Sequence, residues 1–272
     1  TFWSELVRWI TVNFFDALEA IRNVILLNLL VPLKRLLGDL PWAGVVALLA
    51  LAGYRLGGLR LATLVGVLSC LIAATGQWEK AMITVYLCGV SVVFACLIGV
   101  PLGILAAERD RLWRWLQLLI DTLQTLPSFV YLMPVVMLFR VGDFTAMIAV
   151  VAYSVVPAIR YTVLGLHRVD PRVVEAGRAM GCTPGQILVK IKLKLALPEI
   201  LLGLNQTIMF ALSMLVITAL VGTRDLGQEV YIALTKADTG RGLVAGLSVA
   251  FIAIIADRLI SAGANRIRER VS

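Results

Sequence analysis

The chain has 272 residues, of which 60% are hydrophobic and only 15% charged, with a formal net charge of +8 and a mean hydropathy of +0.92. This composition excludes an ordinary soluble domain and indicates a chain that resides mainly in a lipid bilayer. The positive charge does not call for nucleic acid, because basic cytoplasmic ends and anionic membrane lipid account for it.

The first segment, residues 1–38, combines apolar residues at helical spacing with frequent charges. The charges are too frequent for a buried span, and they lack the arrangement of a signal peptide. We therefore predict an amphipathic scaffold helix that lies in the membrane interface, with Trp3 and Trp9 near the lipid headgroups. A transmembrane helix is the alternative.

Apolar segments that follow are long enough, or nearly so, to cross a hydrocarbon core of roughly 30 Å as helices. These segments are residues 40–54, 59–75, 81–107, 116–139, 144–166, 200–221 and 243–262. The first is short, and Pro127 and Pro134 predict a kink or break in the fourth. The predicted fold is an all-α polytopic membrane protein with about seven transmembrane helices. A peripheral pair lies within residues 39–76, and the core occupies residues 77–272.

Basic residues favour one side of these spans. Clusters within residues 55–60, 109–114, 160–194 and 258–270 alternate with ends that carry few basic residues. Because Lys and Arg accumulate in cytoplasmic segments, we predict that the loop 167–198 and the C-terminus are cytoplasmic. Seven spans then place the N-terminus outside.

The residue inventory argues against catalysis. His167 is the only histidine, the four cysteines lack CxxC spacing, and the sequence has no GxxxxGK[ST] phosphate loop. We therefore predict no catalytic residue, no metal site and no nucleotide hydrolysis in this chain. Its energy source is predicted to be a partner or an ion gradient.

The cytoplasmic loop carries two helix-start signals. Asp170 and Pro171 predict an N-cap and a first turn, and Gly181 predicts the end of a helix of about ten residues. Thr183 begins a second helix that runs toward Pro198.

Four residues of the first loop helix are predicted to share one face. They are Val173, Ala176, Gly177 and Met180. The small side chains on this face would let the helix enter a groove. Glu175 lies beside this face. A helical hairpin that rests on the membrane without a partner explains these features equally well.

This loop resembles the coupling segment of ABC importer permeases, which carry EAA, three residues, G, nine residues and then I-x-L-P. The matching residues are Glu175, Ala176, Gly177, Gly181, Ile191 and Leu193. Gly177 stands at the second alanine and Lys194 at the proline, with Pro198 four residues later. The resemblance implies a set of residues that couple the chain to an ATPase: Arg172, Val173, Glu175, Ala176, Gly177, Met180 and Gly181.

Longer runs resemble the permease subunit of the glycine betaine/L-proline class of importers, over roughly residues 80–260. They read QLLIDTLQTLPSFVYLMPVVMLF at 117–139, PAIRYTVLGL at 157–166 and GLNQTIMFALSMLVIT at 203–218. Arg140 stands where that class usually has glycine. The resemblance implies the type I ABC importer permease fold in a bacterial inner membrane. It also implies a homodimer of permeases, two cytoplasmic ATPase subunits that bind ATP and Mg, and an external binding protein.

The same class implies a small methylated ammonium solute, such as glycine betaine, choline, proline betaine or trimethylamine N-oxide. Aromatic rings attract such cations by about 0.5 to 2 kcal/mol each. Candidates for a translocation path are Phe129, Tyr131, Phe139, Tyr153 and Phe210, together with the polar Asn205. Packing between helices is the alternative role for each of them.

Two ionisable residues, Asp121 and Arg160, fall near span ends, where they are either functional or interfacial. The alternative functions for the whole chain are a permease for another small polar solute and an ion-coupled secondary transporter.

Overall fold

The protein is described by a computed structural model that covers residues 5, 9 and 12–271, so Trp3 lies outside the described residues. The regular elements of the described part are all helical. They are α1 (Phe15–Ile25), α2 (Val31–Gly38), α3 (Trp42–Ala74), α4 (Trp78–Ala107), α5 (Asp110–Thr125), α6 (Ser128–Phe139), α7 (Asp143–His167), α8 (Pro171–Ala179), α9 (Pro184–Val221), α10 (Leu226–Thr235) and α11 (Thr239–Val271). The predicted all-α membrane fold is confirmed.

The centre of the bundle is α7, which packs along α4 on one side and α9 on the other. Glycines bring these helices close together. A Cβ atom added at Gly99 or Gly103 of α4 would lie 2.7 Å from a side-chain atom of α7, and one added at Gly203 of α9 would lie 2.6 Å from Tyr161. Contacts this short exclude larger residues, so the three helices form a closely packed core.

The N-terminal arm, α1 and α2, joins through a π-helical turn, Leu26–Leu30. It does not qualify by length and composition as a span in the part of the chain that the structure describes. Leu30 is nevertheless fully buried in the main core, and Lys34 Nζ lies 2.7 Å from Asp143 Oδ2 at the start of α7. The arm is thus anchored in the bundle. The sequence predicted a location in the membrane interface and did not predict these contacts with the core.

Helix α3 is a hairpin, since the backbone reverses at Gly58, where φ is +75°. A Cβ atom at Gly53 would lie 3.2 Å from Ala62 Cα, although nine residues separate them. A straight helix would hold these residues roughly 13 Å apart. The first two predicted spans are therefore the two antiparallel halves of α3.

The fourth predicted span is broken where proline predicted a break. Helices α5 and α6 meet at an angle of 97°. Leu126 adopts an extended backbone before Pro127, as the proline ring requires of the residue that precedes it. The Tyr131 hydroxyl then donates a hydrogen bond to the Leu123 carbonyl at the end of α5.

Five described helices are long and apolar enough to span a membrane, or six when α5 and α6 form one span. The sequence predicted about seven spans because it treated the two halves of α3 as separate spans, whereas this total counts α3 as one helix. Each half of α3 has 16 residues, which gives roughly 24 Å of helix.

The second loop helix was predicted to run toward Pro198, and in the structure it continues past that residue. It passes through a π-helical stretch, Ile187–Lys192, and continues within α9 to Val221. Proline removes one backbone donor, but close packing on both sides of it compensates for that loss. Ala196 is fully buried, and a Cβ atom at Gly165 would lie 3.1 Å from the Ala196 carbonyl oxygen.

The predicted basic clusters meet at one end of the bundle, which we call the basic end. Arg266 of α11 donates to the Arg55 carbonyl at 2.5 Å, which brings the turn of α3 to this end. Lys192 binds Glu108 at 2.6 Å, and Arg168 lines one cavity with Arg268. The opposite end carries the N-terminal arm and α10.

Candidate functional site

The first candidate site is the loop helix α8, at the basic end. Asp170 accepts a hydrogen bond from the Arg172 backbone N–H at 2.8 Å and so caps the helix start. Gly181 ends the helix in the left-handed region, with φ of +81°, which favours glycine. Thr183 and Gln186 then form a reciprocal capping box at the start of α9. The predicted bounds of this helix are confirmed by its caps.

The exposed face of α8 differs in one residue from the predicted face. Arg172, Val173, Glu175 and Ala176 are exposed, and Met180 is 77% exposed. Gly177 is buried instead, and a Cβ atom there would lie 2.6 Å from Ile191 Cδ1. The prediction that Gly177 enters a partner's groove is therefore wrong.

The small residue has a role inside the loop. Gly177 lets α8 pack against the π-helical stretch of α9, so the motif glycine fixes the position of α8 against its own chain.

Salt bridges hold this loop to the bundle. Arg168 binds Glu199 of α9 at 2.7 Å, and Lys192 binds Glu108 after α4 at 2.6 Å. A cavity of about 360 Å³ lies beside α8, between Asp170 and Arg268. A force on α8 therefore reaches α9 through the contact of Gly177 with Ile191, and α4 through the salt bridge between Lys192 and Glu108.

The opposite end has its own ionic network, around α10. Glu229 is buried and binds Lys80 of α4 at 2.5 Å and Arg241 of α11 at 2.6 Å. The hydrogen bond from Arg241, followed by the contacts with Lys80, lowers the pKa of the Glu229 carboxyl. Asp225 caps α10 through Gln228 N–H and is fully buried, with Oδ2 lacking a partner among the described residues. Burial raises the pKa of Asp225 to about 6.

The second candidate site is an aromatic cluster, defined by Tyr131, Tyr153 and Phe210, which come from α6, α7 and α9. The Tyr131 and Tyr153 ring centroids are 5.6 Å apart with an edge-to-face orientation. The Tyr153 and Phe210 centroids are 5.3 Å apart. Tyr153 and Phe210 remain partly exposed, so the cluster has an accessible surface.

Three other residues predicted for the path lie elsewhere. Phe129 is 58% exposed and makes no ring contact in the part of the chain that the structure describes. Phe139 pairs with Phe144 instead, at 5.0 Å. Asn205 is buried and donates to Asp257 Oδ1 of α11 at 2.6 Å. Phe129 and Asn205 project from other faces of their helices than the clustered rings, so their place on the path stays a prediction apart from this cluster.

Sequence reasoning missed Asp257 and the ion pair between Asp121 and Arg160. Asp257 is a carboxylate within the apolar run 243–262, and its position alone marks it as a residue with a polar partner. Asp121 of α5 and Arg160 of α7 form a direct salt bridge. Both were noted as ionisable, but their pairing depends on how α5 packs against α7, which the sequence pattern leaves open.

Comparisons with known proteins agree with these features. Residues 99–269 match the family described as "Binding-protein-dependent transport system inner membrane component". The chain is 41% identical over 95% of its length to a trimethylamine N-oxide transport system permease protein of Pelagibacter ubique, of which it spans only 36%. It is 36% identical to a glycine betaine/proline betaine permease of Escherichia coli, over 98% of this chain and 75% of that protein.

A third relative is a glycine betaine permease of Bacillus subtilis, at 38% identity over 94% of this chain and 90% of that protein. Among solved structures, the inward-facing MetNI methionine ABC transporter matches with a TM-score of 0.60 and 22% identity, over 71% of this chain and 95% of that chain. At this identity the likeness concerns the fold.

Proposed function

This chain belongs to the binding-protein-dependent transport system inner membrane components, and from that premise we propose that it is the membrane subunit of an ATP-driven importer. It carries a small methylated ammonium osmolyte into the cytoplasm by alternating access. The chain itself is a transport subunit and not an enzyme. ATP and Mg²⁺ bind its ATPase partners. The family assignment gives no support to an ion-coupled secondary transporter.

The single observation that carries the proposal is the capped helix α8 on the basic end. Its exposed face holds Arg172, Val173, Glu175 and Met180, which suits insertion into a cleft on a cytoplasmic ATPase. Salt bridges join the loop to α4 and α9. Closure of an ATPase pair would thus move the core helices through rigid contacts. Two permease copies, two ATPases and an external binding protein complete the importer.

The orientation of the chain is part of the same proposal. The basic end collects the clusters that the positive-inside rule assigns to the cytoplasm. The coupling loop and the C-terminus are therefore cytoplasmic, in a bacterial inner membrane, with the N-terminal arm and α10 outside. A binding protein would then approach the end that carries the Glu229 network.

The substrate class rests on the relatives and on the aromatic cluster. The names of the relatives specify trimethylamine N-oxide, glycine betaine and proline betaine, whose methylated nitrogen centres are alike in size. The partly exposed rings of Tyr153 and Phe210 offer such a group aromatic faces within the membrane. Another small polar solute is the alternative, and competition with labelled glycine betaine in a transport assay distinguishes the two.

The test is to disturb the end of α8 without unfolding the membrane domain. In Gly181→Val, a β-branched residue must adopt φ of +81°, which is strained in any surroundings and shifts the loop after α8. We expect loss of ATPase copurification, or ATP hydrolysis without uptake of labelled glycine betaine in proteoliposomes. Glu175→Lys, which reverses a charge on the exposed face, is expected to act in the same way.

The matched control is Gly185→Ala, four residues later in the same loop. Nothing lies within 4 Å of a Cβ atom there, and φ is not in the left-handed region. This variant is expected to copurify and transport as the parent chain does. Normal uptake and copurification in both Gly181→Val and Glu175→Lys would refute the coupling role of α8.

A further inference from the structure

The aromatic cluster and the Asp121–Arg160 ion pair belong to one connected arrangement. Tyr131 contacts Tyr153 through its ring and binds the Leu123 carbonyl through its hydroxyl. Leu123 lies two residues after Asp121, which pairs with Arg160. The rings and the ion pair are therefore neighbours across the junction of α5, α6 and α7.

The arrangement of α7 places both groups on one face. Tyr153 and Arg160 are seven residues apart, which is two turns of helix and about 10 Å along the axis. The long Arg160 side chain covers part of that distance. A cation-binding surface and a fixed positive charge thus lie at successive depths on the same face.

The facing part of α9 is polar for a membrane span. Gln206 and Ser213 lie four residues before and three residues after Phe210, so they share its face. Ser213 is exposed and Gln206 is partly exposed. Polar side chains on an open face within a span indicate contact with protein or water, because lipid tails offer no hydrogen bonds.

We propose that these groups form a two-part site for a zwitterionic betaine, a proposal that rests on the importer function above. The quaternary ammonium contacts the partly exposed rings of Tyr153 and Phe210, and the buried Tyr131 supports Tyr153 from behind. The carboxylate takes Arg160 in place of Asp121. Arg160 is a suitable partner because guanidinium binds carboxylates through two parallel hydrogen bonds.

The exchange at Arg160 costs little. The side chains of Asp121 and Arg160 are 51% and 39% exposed, and ion pairs this open contribute little stability. Asp121 remains hydrated after release. In the empty site, Asp121 occupies the position of the substrate carboxylate and neutralises the charge of Arg160.

The test compares two probes on the permease–ATPase complex in nanodiscs, without binding protein. Glycine betaine has the ammonium and the carboxylate, and tetramethylammonium has the ammonium alone. Saturation-transfer NMR of their methyl protons measures weak binding of each. Tyr153→Leu should weaken both probes, by roughly three- to thirty-fold. Phe129→Leu, which removes an exposed ring outside the cluster, should weaken neither.

The charge variants separate the two halves of the site. The double variant Arg160→Gln with Asp121→Asn should weaken glycine betaine about ten-fold or more and leave tetramethylammonium unchanged. Asp121→Asn alone should tighten glycine betaine, by roughly two- to five-fold, because it removes the competing carboxylate. A purely structural ion pair predicts the opposite sign, since breaking it would loosen the site for both probes.

Several outcomes would overturn the two-part site: no methyl signal from the parent complex, equal effects of Tyr153→Leu and Phe129→Leu, or no gain for glycine betaine in Asp121→Asn. None of these measurements depends on ATP-driven uptake. If they fail while Gly181→Val still uncouples transport, the importer assignment stands and only the substrate site is refuted.

Discussion

The close contact between α4 and α7 makes a quantitative prediction at Gly103. An added Cβ atom would lie 2.7 Å from Thr162 Cβ and 2.9 Å from the Ile159 carbonyl oxygen. Neither neighbour can move alone, because one is backbone and Thr162 is fully buried with its hydroxyl bound to the Ala158 carbonyl. Carbon atoms normally approach to about 3.5–4.0 Å, so the helices must separate by roughly 1 Å.

The cost of that separation exceeds the gain from a better helix former. Overpacking of this kind costs about 1–3 kcal/mol. Replacing glycine by alanine inside a helix returns at most about 1 kcal/mol. Gly103→Ala is therefore expected to destabilise the chain by about 1–2 kcal/mol.

The assay is size-exclusion chromatography of the detergent-solubilised protein after heating. The loss corresponds to a fall in midpoint temperature of roughly 2–8 °C. Gly89→Ala is the matched control, since Gly89 lies on the same helix and nothing lies within 4 Å of a Cβ atom there. If Gly103→Ala is as stable as Gly89→Ala, the small-residue contact does not limit the approach of the two helices, and the reasoning is wrong.

Other predictions concern pH, the arm and orientation. Burial raises the pKa of Asp225 from 3.8 to about 6. The free energy of unfolding should therefore fall as pH rises from about 4 to 6, by up to about 3 kcal/mol. Asp225→Asn should abolish this pH dependence in thermal scans. Leu30→Ala should cost about 2–5 kcal/mol, whereas Leu27→Ala, on the same turn but 62% exposed, should cost little. In a cysteine-free background, an impermeant thiol reagent should label Asp238→Cys from outside the cell and Gly185→Cys only from inside. Labelling of Gly185→Cys from outside the cell would contradict the proposed orientation.

Local signals in the sequence predicted the local structure well. The signals at Asp170 and Gly181 predicted the bounds of α8 and that at Thr183 the start of α9, because capping depends on residues only a few positions apart. Pro127 likewise predicted the break between α5 and α6. Contacts between distant residues could not be predicted in this way. The burial of Gly177 against Ile191, and the pairing of Asn205 with Asp257, depend on how helices are rotated about their axes, which the apolar pattern of a span leaves open.

The division of α3 into two spans could be predicted, because Arg55 and Arg60 interrupt the apolar pattern there. The structure adds how the chain reverses: a single residue of left-handed backbone, Gly58, forms the turn. The N-terminal arm lies deeper than predicted, because Leu30 is buried in the core and the flanking residues Leu26 and Leu33 pack against it.

The bend of 97° between α5 and α6 has a consequence for the lipid around the protein. A helix that stops at Thr125 leaves its last carbonyl groups without helical partners. The Thr125 hydroxyl satisfies that of Thr122, and the Tyr131 hydroxyl and the Leu126 N–H satisfy that of Leu123. Hydrocarbon tails cannot solvate the carbonyls of Gln124 and Thr125, so the bilayer cannot seal against this flank. Annular lipid must therefore be displaced here by water or by a second protein surface. A single copy of the chain would consequently perturb the membrane barrier around it, and an oligomer that encloses the bend would restore it.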